Sequence, residues 1–209
     1  MEKDNIQYLK CELNMVQTKL IEDDKISEYG SDIEYKCCPL WKTRDKMVWI
    51  RGTSTKYVDI LFVGEAPGRD ENLLGRPFVG KAGQILNKWI EEAGVTNYAI
   101  INIVKCRPPN NRKPLQSEIR SCLPYFIKQV KELNPKLIVA LGATPCSVLT
   151  NRKEVVANIG KIFKTRYGDV IVFPHPAYVM RGVDVYIPIT ELKEILRYAI
   201  KEVKHEEKS

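Results

Sequence analysis

The chain has 209 residues, of which 44% are hydrophobic, so it can bury one sizeable core, and its length favours one domain. Its 33 Lys and Arg residues exceed its 26 Asp and Glu residues, and the formal charge of +7 favours an anionic partner such as nucleic acid, although a merely basic surface has the same composition. No run approaches the ~20 apolar residues of a membrane span, and residues 1–10 lack a signal-peptide pattern, which argues against membrane and secreted classes and predicts a cytoplasmic protein.

The apolar periodicity predicts a first helix and then four strands that alternate with helices. The first helix is expected over about residues 6–23, where Leu9, Leu13, Val16 and Leu20 recur at helical spacing. The strands are predicted over residues 58–63, 98–103, 136–141 and 170–173. The later helices are predicted over residues 82–93, 117–133, 144–149 and about 189–203.

The predicted strands are apolar along nearly their whole length, which indicates a parallel sheet covered on both faces. We therefore expect an α/β fold with three layers, α/β/α, around a central, mainly parallel four-stranded sheet. One domain is expected over residues 1–209, with its catalytic core over about 38–205. Ligands of such sheets bind at the carboxyl ends of the strands, so the residues just after each apolar run are the candidate site.

The loop after the first predicted strand contains Gly64, Glu65, Pro67 and Gly68. A rigid glycine-proline turn lets backbone approach a ligand closely, and Glu65 places a carboxylate at the mouth of the strand. The alternative is an ordinary turn with a solvated glutamate. Neither the P-loop nor the dinucleotide glycine pattern is present, so no phosphate cofactor is indicated.

Phe78 lies in a glycine-rich segment, residues 75–83, just before a predicted helix. There an aromatic ring could stack on a base, and Lys81 beside the helix N-terminus could bind a phosphate. The alternative role for Phe78 is a core anchor. His175, held between Pro174 and Pro176 just after the last predicted strand, is a better candidate than His205 in the charged tail.

The chain has six cysteines, which in a cytoplasm are metal ligands or core residues rather than disulfides. They are Cys11, Cys37, Cys38, Cys106, Cys122 and Cys146. Cys146, at the start of a predicted helix, is interpreted as a small core residue.

Together these segments resemble family 4 uracil-DNA glycosylases, the iron-sulfur type, over about residues 38–182. The matching segments are 64–68 (GEAPG), 75–83 (GRPFVGKAG), 102–109 (NIVKCRPP), Asn111-Arg112, Cys122 with Pro124, Leu141-Gly142 and 175–177 (HPA). The resemblance implies an enzyme that turns deoxyuridine out of DNA and hydrolyses its N-glycosidic bond, starting base excision repair.

The resemblance assigns roles in binding the base. Phe78 would stack on the uracil, Asn102 would read its amide edge, and the backbone near Ala66 would contact it. Glu71 falls at the position that excludes thymine by bulk near the 5-position of the base.

The resemblance also assigns catalytic and DNA-binding roles. His175 would donate a hydrogen bond to the uracil oxygen that gains charge, and Glu65 would stabilise the sugar cation or orient the water. DNA would be bound by the segment that starts the helix after Phe78 and by an apolar wedge with a phosphate-binding arginine after His175. Those residues are Lys81, Gly83, Val179, Met180 and Arg181.

In the family, four cysteines hold a 4Fe-4S cluster, and Cys38, Cys106 and Cys122 match three of them. The residue three positions before Cys38 is Tyr35, so the early Cys-x-x-Cys pair is absent, and the fourth ligand is Cys37, Cys11 or none. A second departure is Asn72, where relatives commonly have an acidic residue.

Two alternatives to uracil excision remain open from the sequence. One is a superfamily relative that acts on other deaminated bases, hypoxanthine or xanthine, and the other is a non-catalytic iron-sulfur module that binds DNA. The expected partner is uracil-containing DNA, a sliding clamp is a possible further partner, and the chain is expected to be a monomer without membrane contact.

Overall fold

A computed structural model describes residues 38–180 together with Glu194 and Arg197, and for Val179 and Met180 it describes the backbone alone. The predicted helix over 6–23 lies outside these residues, as does most of the predicted helix over 189–203. Glu194 and Arg197 are both helical, and the guanidinium of Arg197 donates a hydrogen bond to the carbonyl of Glu92. No helix of the described part is long and apolar enough to cross a membrane.

Six strands form one sheet in the described residues, in the order β1-β3-β2-β4-β6-β5. The strands are β1 Arg51–Gly52, β2 Ile60–Gly64, β3 Tyr98–Asn102, β4 Leu137–Leu141, β5 Ile162–Thr165 and β6 Gly168–Phe173. The four central strands are parallel, as predicted, and β1 and β5 add antiparallel edges. The prediction of four strands is therefore correct for the parallel centre of the sheet, and it omits the two antiparallel edge strands.

Helices cover both faces of the sheet. They are α1 Arg69–Leu74, α2 Lys81–Glu92, α3 Gln116–Leu133, α4 Ala143–Thr150, α5 Val155–Asn158 and α6 Pro176–Met180, with short 3-10 helices at Pro39–Lys42 and Pro109–Asn111. The predicted helices α2, α3 and α4 are confirmed to within one residue at each end.

The side chains of each central strand alternate between two apolar clusters. On one face, Leu61 and Val63 pack with Phe126 of α3. On the other face, Phe62 packs with Trp89 of α2. Because a strand buried on both sides must be apolar at every position, this division explains the continuous apolar runs and confirms the three-layer arrangement.

The carboxyl ends of the central strands lie level with one another. Gly64 pairs in register with Asn102, and Leu141 pairs with Phe173. The loops that leave these ends therefore start along one edge of the sheet, where the sequence placed the candidate site.

Candidate active site

Phe78, Asn102 and His175 converge at the carboxyl edge of the sheet. The rings of Phe78 and His175 have centroids 5.7 Å apart and planes inclined by 33°. Gly64 lies against the other two side chains: a Cβ there would overlap Oδ1 of Asn102 and lie 2.5 Å from Cε2 of Phe78. Only a glycine at the end of β2 leaves room for both side chains, so three separate loops share one pocket.

Asn102 presents an unused hydrogen-bond acceptor to this pocket. The residue is only 2% exposed, and its buried Oδ1 atom has no hydrogen-bond partner among the described residues. A buried polar atom left without a partner costs ~1 to 3 kcal/mol. An unpartnered acceptor at the end of a strand and beside an aromatic ring is typical of an atom that hydrogen-bonds to a ligand.

Phe78 is held in a strained backbone conformation. Its φ angle is +54°, in the left-handed region that a bulky residue seldom adopts. Gly83 in the first turn of α2 makes the close approach possible, because any Cβ there would overlap the carbonyl of Phe78. The side chain of Arg51 donates a hydrogen bond of 2.9 Å to the carbonyl of Pro77 and so fixes the preceding residue. Phe78 is 7% exposed and belongs to the apolar cluster around α2, so it is also the core anchor that the sequence offered as the alternative.

The carboxylate of Glu71 fixes the loop that carries Phe78. Its Oε1 accepts hydrogen bonds of 2.9 Å from the N–H groups of both Val79 and Gly80, and its Oε2 accepts one of 3.1 Å from Gly68. Both oxygens are thus engaged by the backbone of the protein itself. The position of Glu71 near the 5-position of a base stays a prediction. In the structure, its hydrogen bonds fix the loop that carries Phe78.

His175 has a defined tautomer in this structure. Its Nδ1 accepts a hydrogen bond of 3.2 Å from the N–H of Ala177, so in the neutral ring the proton is on Nε2, which is then a donor. Gly142, at φ +91°, packs against the histidine, and a Cβ there would lie 3.0 Å from Cβ of His175. The imidazole is therefore positioned both by its flanking prolines and by the end of β4.

Glu65 is half-buried after β2, and its Oε2 accepts a hydrogen bond of 2.5 Å from the hydroxyl of Thr144. Its main-chain carbonyl accepts one of 3.0 Å from Val104. The next residue, Ala66, is partly buried against the core. The sequence analysis missed Thr144, the second residue of α4, although its place just after the carboxyl end of β4 puts it at the same edge of the sheet.

The residues predicted to bind DNA have different surroundings. Lys81 is exposed at the first residue of α2, as a phosphate contact requires, whereas Gly83 is buried beneath Phe78 and is not available as a surface contact. Val179 and Met180 lie in α6, next to the 49% exposed Tyr178, and their side chains are outside the described set. Arg181 lies wholly outside it.

Three cysteines line one small cavity. Cys38, Cys106 and Cys122 are each at most 7% exposed and surround a space also lined by Arg44 and Lys105. Within residues 38–180, no group of three His, Cys, Asp or Glu side chains is arranged to hold a single metal ion. A cluster of several irons spreads its thiolate ligands more widely, and two nearby cations suit its negative charge, so these three cysteines fit such a group. Cys37 and Cys11 lie outside the described residues, and Cys146 is fully buried elsewhere.

The thiols in this cavity influence one another. The hydrogen bond from Cys38 lowers the pKa of Cys122, and the Lys105 N–H and ammonium act in the same direction against burial. The same contact and burial raise the pKa of Cys38. Burial lowers the pKa of Lys105 to about 7, while Cys122 and Cys106 oppose the decrease.

The presence of Asn72 has a structural explanation. It is 3% exposed, its amide donates to the carboxylate of Asp45, and its Oδ1 accepts a hydrogen bond of 3.1 Å from the N–H of Asp45. A carboxylate at position 72 would repel the Asp45 carboxylate, whereas the amide of Asn72 donates a hydrogen bond to it. Asn72 thus ties α1 to the segment between the first 3-10 helix and β1.

The fold agrees with comparisons to known proteins. A sequence model of the uracil DNA glycosylase superfamily matches residues 52–197, and the chain belongs to that superfamily. It is similar to the type-4 uracil-DNA glycosylase of Pyrobaculum aerophilum, with 41% identity over 69% of this chain and 78% of the relative. It is likewise similar to the type-4 uracil-DNA glycosylases of Thermotoga maritima, with 39% identity over 76% and 85% of the two chains, and of Sulfurisphaera tokodaii, with 38% identity over 82% and 80%.

Proposed function

We propose that this chain is a uracil-DNA glycosylase that hydrolyses the N-glycosidic bond of deoxyuridine in DNA and leaves an abasic site. Its superfamily and its type-4 relatives support this activity. The observation that carries the proposal at the level of residues is the buried, unpartnered Oδ1 of Asn102, which faces the ring of Phe78. An amide beside an aromatic face is suited to a flat base whose edge has both a donor and an acceptor.

In the proposed complex, the base is extruded from the duplex and stacks on Phe78. Oδ1 of Asn102 accepts the hydrogen of the uracil ring N–H, and its amide nitrogen donates to the adjacent carbonyl. Cytosine has a bare ring nitrogen and an amino group at these two places, so it would oppose acceptor to acceptor and donor to donor. The pocket therefore distinguishes uracil from cytosine by hydrogen bonding.

The reaction breaks the bond between the sugar carbon and the base nitrogen, and the bonding electrons leave with the uracil. His175 donates from Nε2 to the base oxygen that becomes negative, which lowers the barrier as an oxyanion-hole donor does. Glu65, oriented by Thr144, faces the positive sugar and the water that adds to it. Water supplies a hydroxyl group to the sugar, and its remaining proton ends on the nitrogen of the departed uracil anion, which becomes neutral uracil.

The proposal includes a 4Fe-4S cluster held by Cys38, Cys106 and Cys122, with Cys37 or Cys11 as the fourth ligand. When bound, the cluster would cross-link the segment before β1, the loop after β3 and helix α3. Arg44 donates a hydrogen bond of 3.5 Å to Sγ of Cys106 and would offset part of the cluster's negative charge.

The proposal also places the protein in the cytoplasm, as a monomer whose Lys81 contacts a DNA phosphate and whose residues Val179, Met180 and Arg181 enter the minor groove. A sliding clamp is retained as a candidate partner. Light scattering of the purified protein with and without a clamp tests the oligomeric state and this partner together.

Duplexes that each contain one altered base test the proposed function. We expect alkali-sensitive strand cleavage with uracil and none with cytosine or thymine, and Glu65→Ala and His175→Ala should each reduce it by at least ~100-fold. Faster release of hypoxanthine or xanthine than of uracil would instead support the relative with altered specificity. DNA binding without release of any base, unchanged in both variants, would support the non-catalytic module.

A further inference from the structure

Lys105 is buried between the cysteine cavity and the base pocket. It is 1% exposed, and its ammonium lies 5.8 Å from the ring centroid of Trp49 and 5.7 Å from that of Phe126. Removing an ammonium group from water is costly unless other groups replace the lost hydration. A lysine at this position therefore needs specific partners, and the structure provides them on two sides.

Lys105 has partners on both sides. It lines the cavity that contains Cys106 and Cys122, and its main-chain carbonyl accepts a hydrogen bond of 2.9 Å from the N–H of Val48. Its side chain turns back along the chain, and Nζ donates to the main-chain carbonyl of Asn102. One residue thus borders the cysteine cavity and contacts the end of β3 through its ammonium.

The carbonyl that Lys105 holds belongs to the residue with the unpartnered amide. Asn102 is the last residue of β3, where the regular pairing of the sheet stops and the chain turns into a loop. A fixed carbonyl fixes the peptide plane and, with it, the direction in which Cα and the side chain of Asn102 point. Base recognition is sensitive to such placement, because a shift of ~1 Å in a reacting complex can cost ~100-fold in rate.

We propose that Lys105 is a positioning residue for base recognition: it fixes the carbonyl of Asn102 and thereby aims the Asn102 amide at the uracil edge. This inference rests on the proposed function of the pocket. The same lysine lines the cavity of Cys106 and Cys122, so a single residue lies against both that cavity and Asn102.

A double-mutant cycle between Lys105 and Asn102 tests the proposal. Single-turnover excision of uracil is measured for the wild type, Lys105→Met, Asn102→Ala and the double variant, with rates expressed per bound iron. Lys105→Met should lower the rate on the order of tenfold, which corresponds to one lost hydrogen bond to a charged donor. In the Asn102→Ala background the same substitution should change the rate less than about twofold.

The controls separate positioning from general stability. Lys88→Met removes a lysine whose side chain is 73% exposed on α2 and should leave the rate unchanged. If Lys105→Met does not fold, the cycle is run with Lys105→Gln, which keeps a shorter donor and should lose less activity. An equal loss in both backgrounds, or a loss explained fully by missing iron, overturns the proposal. A wild type that does not release uracil would show that the proposed function is wrong, which is a different outcome from an equal loss in both backgrounds.

Discussion

The hydroxyl of Thr144, the second residue of α4, donates a 2.5 Å hydrogen bond to the carboxylate of Glu65 in the loop after β2. The two residues are 79 positions apart, and the parallel register of β2 and β4 brings them together. In the proposed reaction, Oε1 of Glu65 is the oxygen that faces the sugar or the water. The hydrogen bond makes Thr144 part of the geometry on which the proposed chemistry depends.

Replacing Thr144 by Val, which has the same shape without the hydroxyl, should lower the excision rate by ~10-fold to 100-fold, the equivalent of a hydrogen bond of ~1.5 to 3 kcal/mol to a charged group. Thr144→Ser keeps the donor and should retain most activity. Single-turnover rates with uracil-containing duplex provide the measurement. Equal rates for Thr144→Val and Thr144→Ser would show that the hydroxyl of Thr144 does not contribute to the excision rate.

Gly64→Ala should disable the pocket without unfolding the protein. Its Cβ would overlap Asn102 and crowd Phe78, so one of the two must move, and we expect a loss of at least ~100-fold in rate. Gly94→Ala is the matched control, because a Cβ there meets nothing within 4 Å although its φ is +71°. The control should lose ~1 kcal/mol of stability from backbone strain and keep its rate. Full activity in Gly64→Ala would contradict the placement of the pocket.

Glu118→Gln tests a buried ion pair that supports α3. Burial alone would raise the pKa of Glu118, but the hydrogen bonds from Arg112 and from the Leu115 N–H outweigh it and hold the pKa below its ordinary value of 4.5. A lowered pKa in the folded state stabilises the protein above pH 4.5, and this contribution disappears as the pH falls through the folded value. The variant should be less stable than the wild type by ~1 to 3 kcal/mol at pH 7.

Urea unfolding at a series of pH values checks this expectation. The difference between wild type and Glu118→Gln should shrink as the pH is lowered from 5 toward ~3. A difference that stays constant across that range would show that the charge of Glu118 does not contribute. The side chain of Arg112 is 38% exposed, but its removal would leave the buried carboxylate of Glu118 without its cation, so substitution of Arg112 should also destabilise the protein.

Serine substitutions separate the cavity cysteines from the remaining described one. Cys38→Ser, Cys106→Ser and Cys122→Ser should each reduce bound iron and sulfide and the visible absorption of the purified protein. Cys146→Ser is the matched control: its thiol is equally buried but contacts the hydroxyl of Thr150 on α4 and the carbonyl of Arg152 just after that helix. Iron retained by all three cavity variants would exclude the proposed ligand set.

The sequence was most informative about the sheet, because strands buried on both faces must be apolar at every position. The ends of those runs located Gly64, Asn102 and His175 on one edge before any coordinates were known. The edge strands were not predictable in this way. β1 has two residues, and β5 alternates exposed and half-buried positions, so neither produces an apolar run.

Two hydrogen bonds near the site also escaped prediction. The bond from Thr144 to Glu65 depends on the register of β2 and β4, and Thr144 lies outside the segments that carry the resemblance. The bond from Lys105 to the carbonyl of Asn102 spans only three residues, but nothing in the sequence of that segment shows that the lysine side chain turns back. Gly83 shows the reverse case. Its place at a helix start suggested contact with DNA, whereas its missing Cβ accommodates the carbonyl of Phe78.

A crystal structure of the protein with free uracil, the proposed product, tests the central claim most directly. We predict the base stacked on Phe78, its ring N–H donating to Oδ1 of Asn102, and Nε2 of His175 within hydrogen-bond distance of one of its carbonyl oxygens. Uracil bound elsewhere, or bound here with Oδ1 of Asn102 still unpartnered, would contradict the account.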